Sequence, residues 1–266
     1  MDRVTLEAAA TANFVTHATW ASRRTLGARV DQSPELTVAD SGLPSDTFNI
    51  VCAARLAADD VARVCRDVVE RFREVGRPFS WWVAPGDEPT DLAERLEHAG
   101  LEAAESELAM AAEVGTGPLP AAPPIPGLTF ERIGLPAELS VLAGMNADNW
   151  NPPDANVEEF YRRAARDLLG PGSPFRFHLA RLEGLPVAAV EVALTGSVAG
   201  IYGLTTRAAW RGRGIASALL TTALHSAREE GVLQSVLQAA AGGVSLYRRL
   251  GFVEFGVIRE LKPPPP

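Results

Sequence analysis

The order of apolar and polar positions predicts a chain built from two successive blocks of strands and helices. In the first block, the apolar and β-branched run at 47–56 predicts a strand, and the spacing of apolar residues at 59–75 predicts a helix. A strand at 78–84, a short helix at 90–98 and a strand at 101–114 follow. The opening ten residues are helical in character. Alternation of this kind is typical of α/β domains.

The second block contains more strands before its first strand–helix unit. A strand is predicted at 128–132, followed by helices at 136–149 and 157–169. Three strands at 175–182, 186–194 and 198–205 are separated by the turn sequences EGLP and TGS. A helix from about 214 to 231, a strand at 232–239, a helix at 244–250 and a strand at 252–261 complete the block. Hairpins followed by strand–helix units predict a mixed α/β sheet.

A stretch rich in proline and glycine, GTGPLPAAPPIPG at 115–127, separates the two blocks. Proline interrupts regular structure and stiffens a chain, so this stretch is interpreted as an interdomain linker. We therefore expect one domain at 1–114, a second at 128–262 and a short tail at 263–266. The sequences LAERLEHAGLEA at 92–103 and VSLYRRLGFVEF at 244–255 share a pattern, which predicts a duplicated domain. A chance likeness between two α/β units is the alternative.

Charge and composition narrow the possible partners. The formal net charge is −8, so the surface disfavours nucleic acid and anionic membranes and suits cationic substrates. No apolar run reaches the roughly 20 residues that cross a bilayer, and the first residues do not resemble a secretory signal. We expect a cytoplasmic protein. The two cysteines and four histidines lack ligand spacing, so no metal site is expected.

The sequence RGRGIA at 211–216 carries the clearest chemical signal. Gly212 and Gly214 stand where a helix should begin, although glycine disfavours helices. The first amides of a helix lack intrahelical partners and lie at its positive end, so this turn suits a phosphate or pyrophosphate. The alternative is an ordinary glycine turn with solvated arginines. The corresponding stretch of the first block, AADDVARV at 57–64, has aspartates that would repel an anion, so the chemistry is assigned to the second block.

Two motifs of the second block resemble those of the GNAT superfamily of N-acetyltransferases. RGRGIA resembles its R-x-x-G-x-G/A signature, and LYRRLGF at 246–252 resembles its second motif. The resemblance covers about 128–261, and more weakly the first block looks like a degenerate copy, as in tandem GNAT proteins. It implies two GNAT-like α/β domains, each a mixed, largely antiparallel sheet flanked by helices. Ala240 stands where the family often has asparagine, which weakens the expectation of side-chain contacts to the cofactor there.

The resemblance implies acetyl-CoA as the cofactor and direct transfer of its acetyl group to a primary amine of a small molecule, peptide or protein. The strands at 198–205 and 232–239 are expected to splay apart and admit the thioester, with backbone groups near Leu204 polarising its carbonyl. The residues expected to contact the pantetheine arm are Leu204, Thr205 and Thr206. Those expected to bind the pyrophosphate are Arg211, Gly212, Arg213, Gly214, Ile215 and Ala216.

Two residues are candidates for proton transfer. Tyr247 matches the family's usual acid, which protonates the leaving thiolate; packing against the cofactor is the alternative. Glu191 interrupts an apolar strand, where a buried carboxylate is costly unless it is partnered, so it is the candidate base. It is expected either to line an acceptor cleft or to lie on a solvated face.

The helix–loop–helix region before the three central strands often shapes acceptor sites in this family. Its candidate residues are Asp148, Glu158, Glu159 and Trp150, with solvation of the carboxylates and ordinary packing of the tryptophan as the alternatives. A coenzyme A-binding sensor or structural module without transfer activity is the alternative function. A homodimer is left open.

Overall fold

The structure is a computed structural model that describes residues 2–117, 119 and 124–264. Within these residues it contains seven α-helices and eleven strands, which confirms the predicted mixed α/β fold. The helices are α1 (Arg3–Thr19), α2 (Val61–Glu74), α3 (Leu92–His98), α4 (Pro136–Ala147), α5 (Ala155–Leu168), α6 (Ile215–Glu229) and α7 (Val244–Arg249). The strands are β1 (Arg29–Gln32), β2 (Thr37–Asp40), β3 (Ile50–Cys52), β4 (Ser80–Val83), β5 (Glu102–Glu113), β6 (Leu128–Arg132), β7 (Phe175–Leu182), β8 (Leu185–Thr195), β9 (Val198–Thr206), β10 (Gln234–Ala239) and β11 (Val253–Lys262).

The chain forms two compact units. The first consists of Met1–Ala109 and Phe255–Pro266, and the second of Met110–Glu254. This division differs from the predicted domains, because the second unit includes residues 110–114 and the first includes residues 255–262. The predicted linker at 115–127 falls inside the limits of the second unit. Its residues 118 and 120–123, and residues 265 and 266 of the predicted tail, lie outside the described residues.

Strands of the first unit are ordered β1-β2-β3-β4-β11-β5. The meander β1-β2-β3 is antiparallel, β3 and β4 are parallel neighbours joined through α2, and β11 is antiparallel to β4. The core of this unit includes the stacked rings of Phe72 and Phe79, whose centroids lie 4.7 Å apart, and the buried Trp81. Leu261 of β11 belongs to the same cluster. The last strand is therefore a structural part of the first unit.

Strands of the second unit are ordered β10-β9-β8-β7-β6. All neighbours are antiparallel except β9 and β10, which are parallel and joined through α6. Helix α5 lies on one face, where Tyr161 packs edge-to-face on Phe177. The end of α6 lies on the other face, where Glu230 pairs with Arg176 at 2.6 Å. Because both faces are covered, β8 is buried from Val187 to Ala193, which explains its nearly continuous apolar sequence.

Most predicted elements of the second block agree with the structure within two residues, whereas the first block shows larger differences. The strand predicted at 47–56 is wrong in extent, because only Ile50–Cys52 is a strand. Ala53 has a left-handed backbone with φ 56°, which ends the strand. The short strands β1 and β2 were not predicted, because the sequences RVDQ and TVAD are too short and polar to give a clear alternation.

Candidate functional site

The turn that opens α6 depends on two glycines in the left-handed conformation. Gly212 has φ 75°, and Gly214, the N-cap of the helix, has φ 79°. A Cβ atom added to Gly212 would meet no atom within 4 Å, and one added to Gly214 would lie 3.9 Å from its nearest neighbour. Crowding is therefore not the reason for glycine here. Glycine is favoured by the backbone conformation, because residues other than glycine adopt positive φ angles only at a cost in free energy.

This conformation leaves backbone amides at the start of α6 without helical acceptors, beside the positive charges of Arg211 and Arg213. The first intrahelical bond of α6 runs from the Ala218 amide to the Gly214 carbonyl at 3.0 Å, so the amides of residues 215–217 have no acceptor within the helix. The Arg211 side chain donates to the Thr206 carbonyl at 3.0 Å, and the Arg213 guanidinium lies 4.6 Å from the centre of the Trp210 ring. No acidic residue occupies the first turn. The site has the donors and the charge that a diphosphate requires.

The parallel strands β9 and β10 separate just before this turn. Their register begins at Gln234↔Val198 and ends at Leu237↔Ile201. Strand β9 nevertheless continues to Thr206, and β10 continues to Ala239. The segment containing Leu204, Thr205 and Thr206 therefore extends beyond the β10 pairing, and a 3-10 turn at Ala208–Trp210 joins it to the glycine turn.

A β-bulge lies in β9 at the start of this segment. Ala189 of β8 is opposite Thr205 and Glu191 is opposite Tyr202, so two residues of β9, Gly203 and Leu204, face one residue of β8. Gly203 has φ 54°, and a Cβ atom added to it would lie 2.9 Å from Asn146 Nδ2. The left-handed conformation favours glycine here, and the Asn146 side chain of α4 lies close against it. A bulge leaves backbone groups out of the ladder, which is the arrangement that a polarising contact near Leu204 needs.

Glu191 is buried beside this bulge, with only 3% of its surface exposed. The solvated-face alternative is therefore wrong. Tyr161 donates a hydrogen bond from Oη to Glu191 Oε2 at 2.7 Å, and the Tyr161 side chain is also hydrogen-bonded to Asn146. Burial, with the neighbouring Glu191 carboxylate, raises the pKa of Tyr161 well above its ordinary value. Tyr161 and Asn146 escaped the sequence analysis, because neither belongs to a motif and both approach Glu191 from other elements.

Tyr247 lies on α7, shortly after the end of β10. It is half-buried and packs edge-to-face on Phe252, with ring centroids 5.9 Å apart. A Cβ atom added to Gly243 would lie 2.9 Å from Cε2 of Tyr247, so the small residue at this position lets the ring lie against the backbone. Gly243, the last residue of the sequence AAAGG before α7, therefore accommodates the Tyr247 ring.

The candidate acceptor residues fall into two groups. Asp148 and Trp150, which is 43% exposed, follow the C-terminal end of α4, and Asp148 forms a 3.7 Å ion pair with Arg207. Glu158 and Glu159 lie on α5, where Glu158 is exposed. Hydrogen bonds from Arg162 and Arg163 lower the pKa of Glu159 to about 2. Glu159 is thus held by neighbouring arginines, which supports its solvated alternative.

Asn149, which follows the C-terminal end of α4, makes a polar contact with β9. Its Oδ1 accepts a hydrogen bond from Thr205 Oγ1 at 3.3 Å. Together with Asn146 it places two carboxamides along the bulged end of β9. Asn149 lies beyond the last residue of α4 and neither asparagine belongs to a motif, so the sequence analysis did not identify the pair. Among the described residues, no group of three or more His, Cys, Asp or Glu side chains is placed to bind a metal ion. In the same residues, every helix is too short or too polar to span a bilayer.

The second unit is thus an α/β domain in which two parallel strands part before a glycine-opened helix. Residues 143–252 match the model of the Acetyltransferase (GNAT) family. The chain therefore contains a GNAT-family domain, which associates it with acyltransferase chemistry in general. The resemblance identified in the two sequence motifs is confirmed. No protein among those with curated functions matches the chain.

Solved structures show the same fold over nearly the whole chain. A GCN5-related N-acetyltransferase from Kribbella flavida has a TM-score of 0.74 at 19% identity, with 96% of each chain covered. A GCN5-related N-acetyltransferase from Sphaerobacter thermophilus has a TM-score of 0.61 at 18% identity, with 87% of this chain and 81% of the other covered. A tandem GNAT protein from the clavulanic acid biosynthesis pathway has a TM-score of 0.62 at 15% identity, with 92% and 87% covered.

Proposed function

We propose that this protein is an N-acetyltransferase that moves an acetyl group from acetyl-CoA to a primary amine. The observation that carries the proposal is that the pairing of β9 with β10 ends at Ile201, while β9 continues to Thr206 towards the glycine turn of α6. That arrangement offers one extended edge for a pantetheine arm and one cluster of amides for a diphosphate. A ligand that combines the two is an acyl-coenzyme A.

The residues present fit this cofactor. Its diphosphate would be held by the turn at residues 211–216, where two left-handed glycines keep the amides open and two arginines add charge. The segment 204–206 would pair with the pantetheine arm. When bound, acetyl-CoA supplies an acyl carbon that is activated by a thiolate leaving group. Backbone groups at the Gly203–Leu204 bulge would polarise the thioester carbonyl.

Two side chains are proposed to move protons. The acceptor arrives largely as an ammonium, so a base has to remove a proton before nitrogen can attack. Glu191 is proposed as that base, with the Tyr161 hydroxyl, 2.7 Å from its carboxylate, as the neighbouring group through which the proton passes. Tyr247 is proposed to hold the proton that the leaving sulfur would take, and the second proton that the nitrogen loses on becoming an amide would restore the Tyr247 hydroxyl or pass to solvent.

The proposed acceptor is a cationic amine, and the proposed location is cytoplasmic. The net charge of −8 supports a cationic partner and disfavours nucleic acid or an anionic membrane surface.

We further propose that the first unit is a degenerate copy of the GNAT-like domain. The order β3-α2-β4-α3-β5 in the first unit matches β9-α6-β10-α7-β11 along the rest of the chain, which supports a duplication.

The test combines a binding titration with a transfer assay on the whole protein. Calorimetry with coenzyme A, using ATP as the control ligand, is expected to give saturable binding of coenzyme A that ATP does not match. Release of free thiol from acetyl-CoA is then measured against a panel of primary amines, with acetylated product identified by mass spectrometry. Binding without transfer to any amine would favour the sensor or structural module instead. No binding of coenzyme A at saturating concentrations would refute the proposal.

A further inference from the structure

One buried polar atom near the bulge of β9 has no partner within the described residues. Asn146, on α4, is 7% exposed, and its Oδ1 atom makes no hydrogen bond there. Buried acceptors in folded proteins are nearly always paired, so an unpaired one needs an explanation. An amide oxygen has lone pairs and no proton to give, so the missing partner must be an N–H or O–H donor.

The neighbouring hydrogen bonds fix the direction of this atom. Tyr161 gives its only hydroxyl proton to Glu191, so towards Asn146 the same hydroxyl oxygen can act only as an acceptor. The Asn146 group that meets Tyr161 must then be its Nδ2 donor. Rotating the amide would bring its oxygen against the Tyr161 oxygen and lose this bond. Glu191 and Tyr161 together therefore hold the Asn146 oxygen in one orientation.

The fixed amide lies against the backbone where the acyl group is expected. The Cβ position of Gly203 is 2.9 Å from Asn146 Nδ2 and 3.5 Å from Oδ1. Gly203 and Leu204 form the bulge whose backbone groups are proposed to polarise the thioester carbonyl. The Asn146 amide therefore lies beside the backbone at which a nucleophile would attack the acyl group.

We propose that Asn146 Oδ1 binds an N–H of the acceptor amine and orients its nitrogen for attack, which makes Asn146 a binding residue that selects primary amines. This inference rests on the proposed acetyltransferase function. A primary amine in its neutral form presents two N–H groups and one lone pair, so one N–H bonds to Asn146 while the lone pair faces the acyl carbon. The space beside Gly203 is already filled by Asn146, so an N-methyl group would compete with the contact that the N–H makes.

The test measures acceptor kinetics in the whole protein for the wild type, for Asn146→Ala and for a matched control, Asn149→Ala. The panel consists of benzylamine, 2-phenylethylamine, 1,4-diaminobutane and lysine amide, and the best acceptor is compared with its N-methyl derivative. In Asn146→Ala we expect the KM of the primary amine to rise about tenfold, as the loss of one good hydrogen bond predicts. The Kd of acetyl-CoA should stay within about twofold, since the variant leaves the glycine turn intact. The control should change the amine KM by less than about threefold, because Asn149 is exposed.

The preference for the primary amine over its N-methyl derivative should also shrink in Asn146→Ala, which a purely structural role would not predict. An unchanged amine KM and an unchanged preference would overturn the inference. If Asn146→Ala fails to bind acetyl-CoA, Tyr161→Phe decides the question by the amine KM and the N-methyl preference alone, since it releases the Asn146 amide without removing it, whereas its kcat should also fall through loss of the proposed proton relay. A wild-type protein that transfers to no amine refutes the proposed function itself, and this inference falls with it.

Discussion

The two units contain the same strand–helix–strand arrangement, but the carboxyl-terminal ends of its two parallel strands differ between the units. In the first unit, β3 and β4 are parallel and joined through α2, and in the second unit β9 and β10 are parallel and joined through α6. Beyond β3 and β4 the backbones stay paired, because the Glu88 amide donates to the Ala54 carbonyl at 2.9 Å and the Leu56 amide donates to the Glu88 carbonyl at 3.0 Å. Beyond Ile201 and Leu237, the second pair separates. The strand ends of β3 and β4 are therefore closed by backbone hydrogen bonds, whereas those of β9 and β10 are open.

The turns that precede α2 and α6 also differ, in their charge and in their glycine content. The entrance of α2 is a 3-10 turn at Ala58–Asp60 that carries Asp59 and Asp60, whereas that of α6 has two left-handed glycines and two arginines. The first unit also places its own carboxylate at the strand ends, since Asp87 accepts a hydrogen bond from the Ala84 amide at 2.9 Å. The shared topology supplies the scaffold, and a few residues at the strand ends decide whether it has room and charge for a ligand.

The largest expected effect on transfer is that of Tyr247→Phe. Loss of the proton donor should lower kcat by about 100-fold or more while the protein still binds coenzyme A, because the ring and its packing on Phe252 are kept. Steady-state thiol release together with calorimetry measures both quantities. An unchanged kcat would remove Tyr247 from the chemistry and leave it a packing residue.

A smaller effect is expected from Gly212→Ala, with Gly76→Ala, at the C-terminal end of α2 in the first unit, as a control for backbone strain. Both glycines have positive φ, 75° and 64°, and a Cβ atom on either would meet nothing within 4 Å. Each substitution should therefore cost about 1–2 kcal/mol of backbone strain. Only Gly212→Ala should weaken the Kd of acetyl-CoA, by about tenfold, because only that turn is proposed to bind it. Equal losses of affinity in both variants would mean that the glycine turn of α6 has no special part in binding.

The smallest effect on transfer is expected from Asp87→Asn, which should leave kcat unchanged and alter only stability. Burial raises the pKa of Asp87 from 3.8 to about 7 in the folded protein. The folded state thus holds this proton more tightly than the unfolded chain, so the protein should lose stability as the pH rises from about 4 to about 7. The loss should be roughly 1–4 kcal/mol.

Urea unfolding of the whole protein at pH 5 and pH 8 measures this difference for Asp87. The wild type should be less stable at pH 8, and Asp87→Asn should show a smaller difference, since an amide does not ionise. An identical pH dependence in both proteins would contradict the burial of a titrating carboxyl at the closed strand ends. An altered kcat would mean that the first unit takes part in the transfer.

Local features of the site were predictable from the sequence, whereas contacts between distant segments were not. The turn at 211–216 could be predicted because its glycines and arginines are consecutive, and the burial of Glu191 was one of two outcomes that an apolar strand allows. Asn146 and Tyr161 could not be assigned, because their contacts depend on how α4 and α5 pack on the sheet. The pairing of β11 with β4 joins residues far apart in the chain, and no local pattern specifies such a partner.

That pairing has a consequence for biosynthesis. The first unit begins at the amino-terminal end of the sequence, but its central β4 needs β11 as a neighbour, and its core needs Leu261. During translation, the ribosome must complete the entire GNAT domain before the earlier unit can bury its last hydrophobic side chain. The first unit therefore reaches its native state only after β11 has been synthesised, and a protein stalled after the first hundred residues would present an unfinished sheet edge to chaperones.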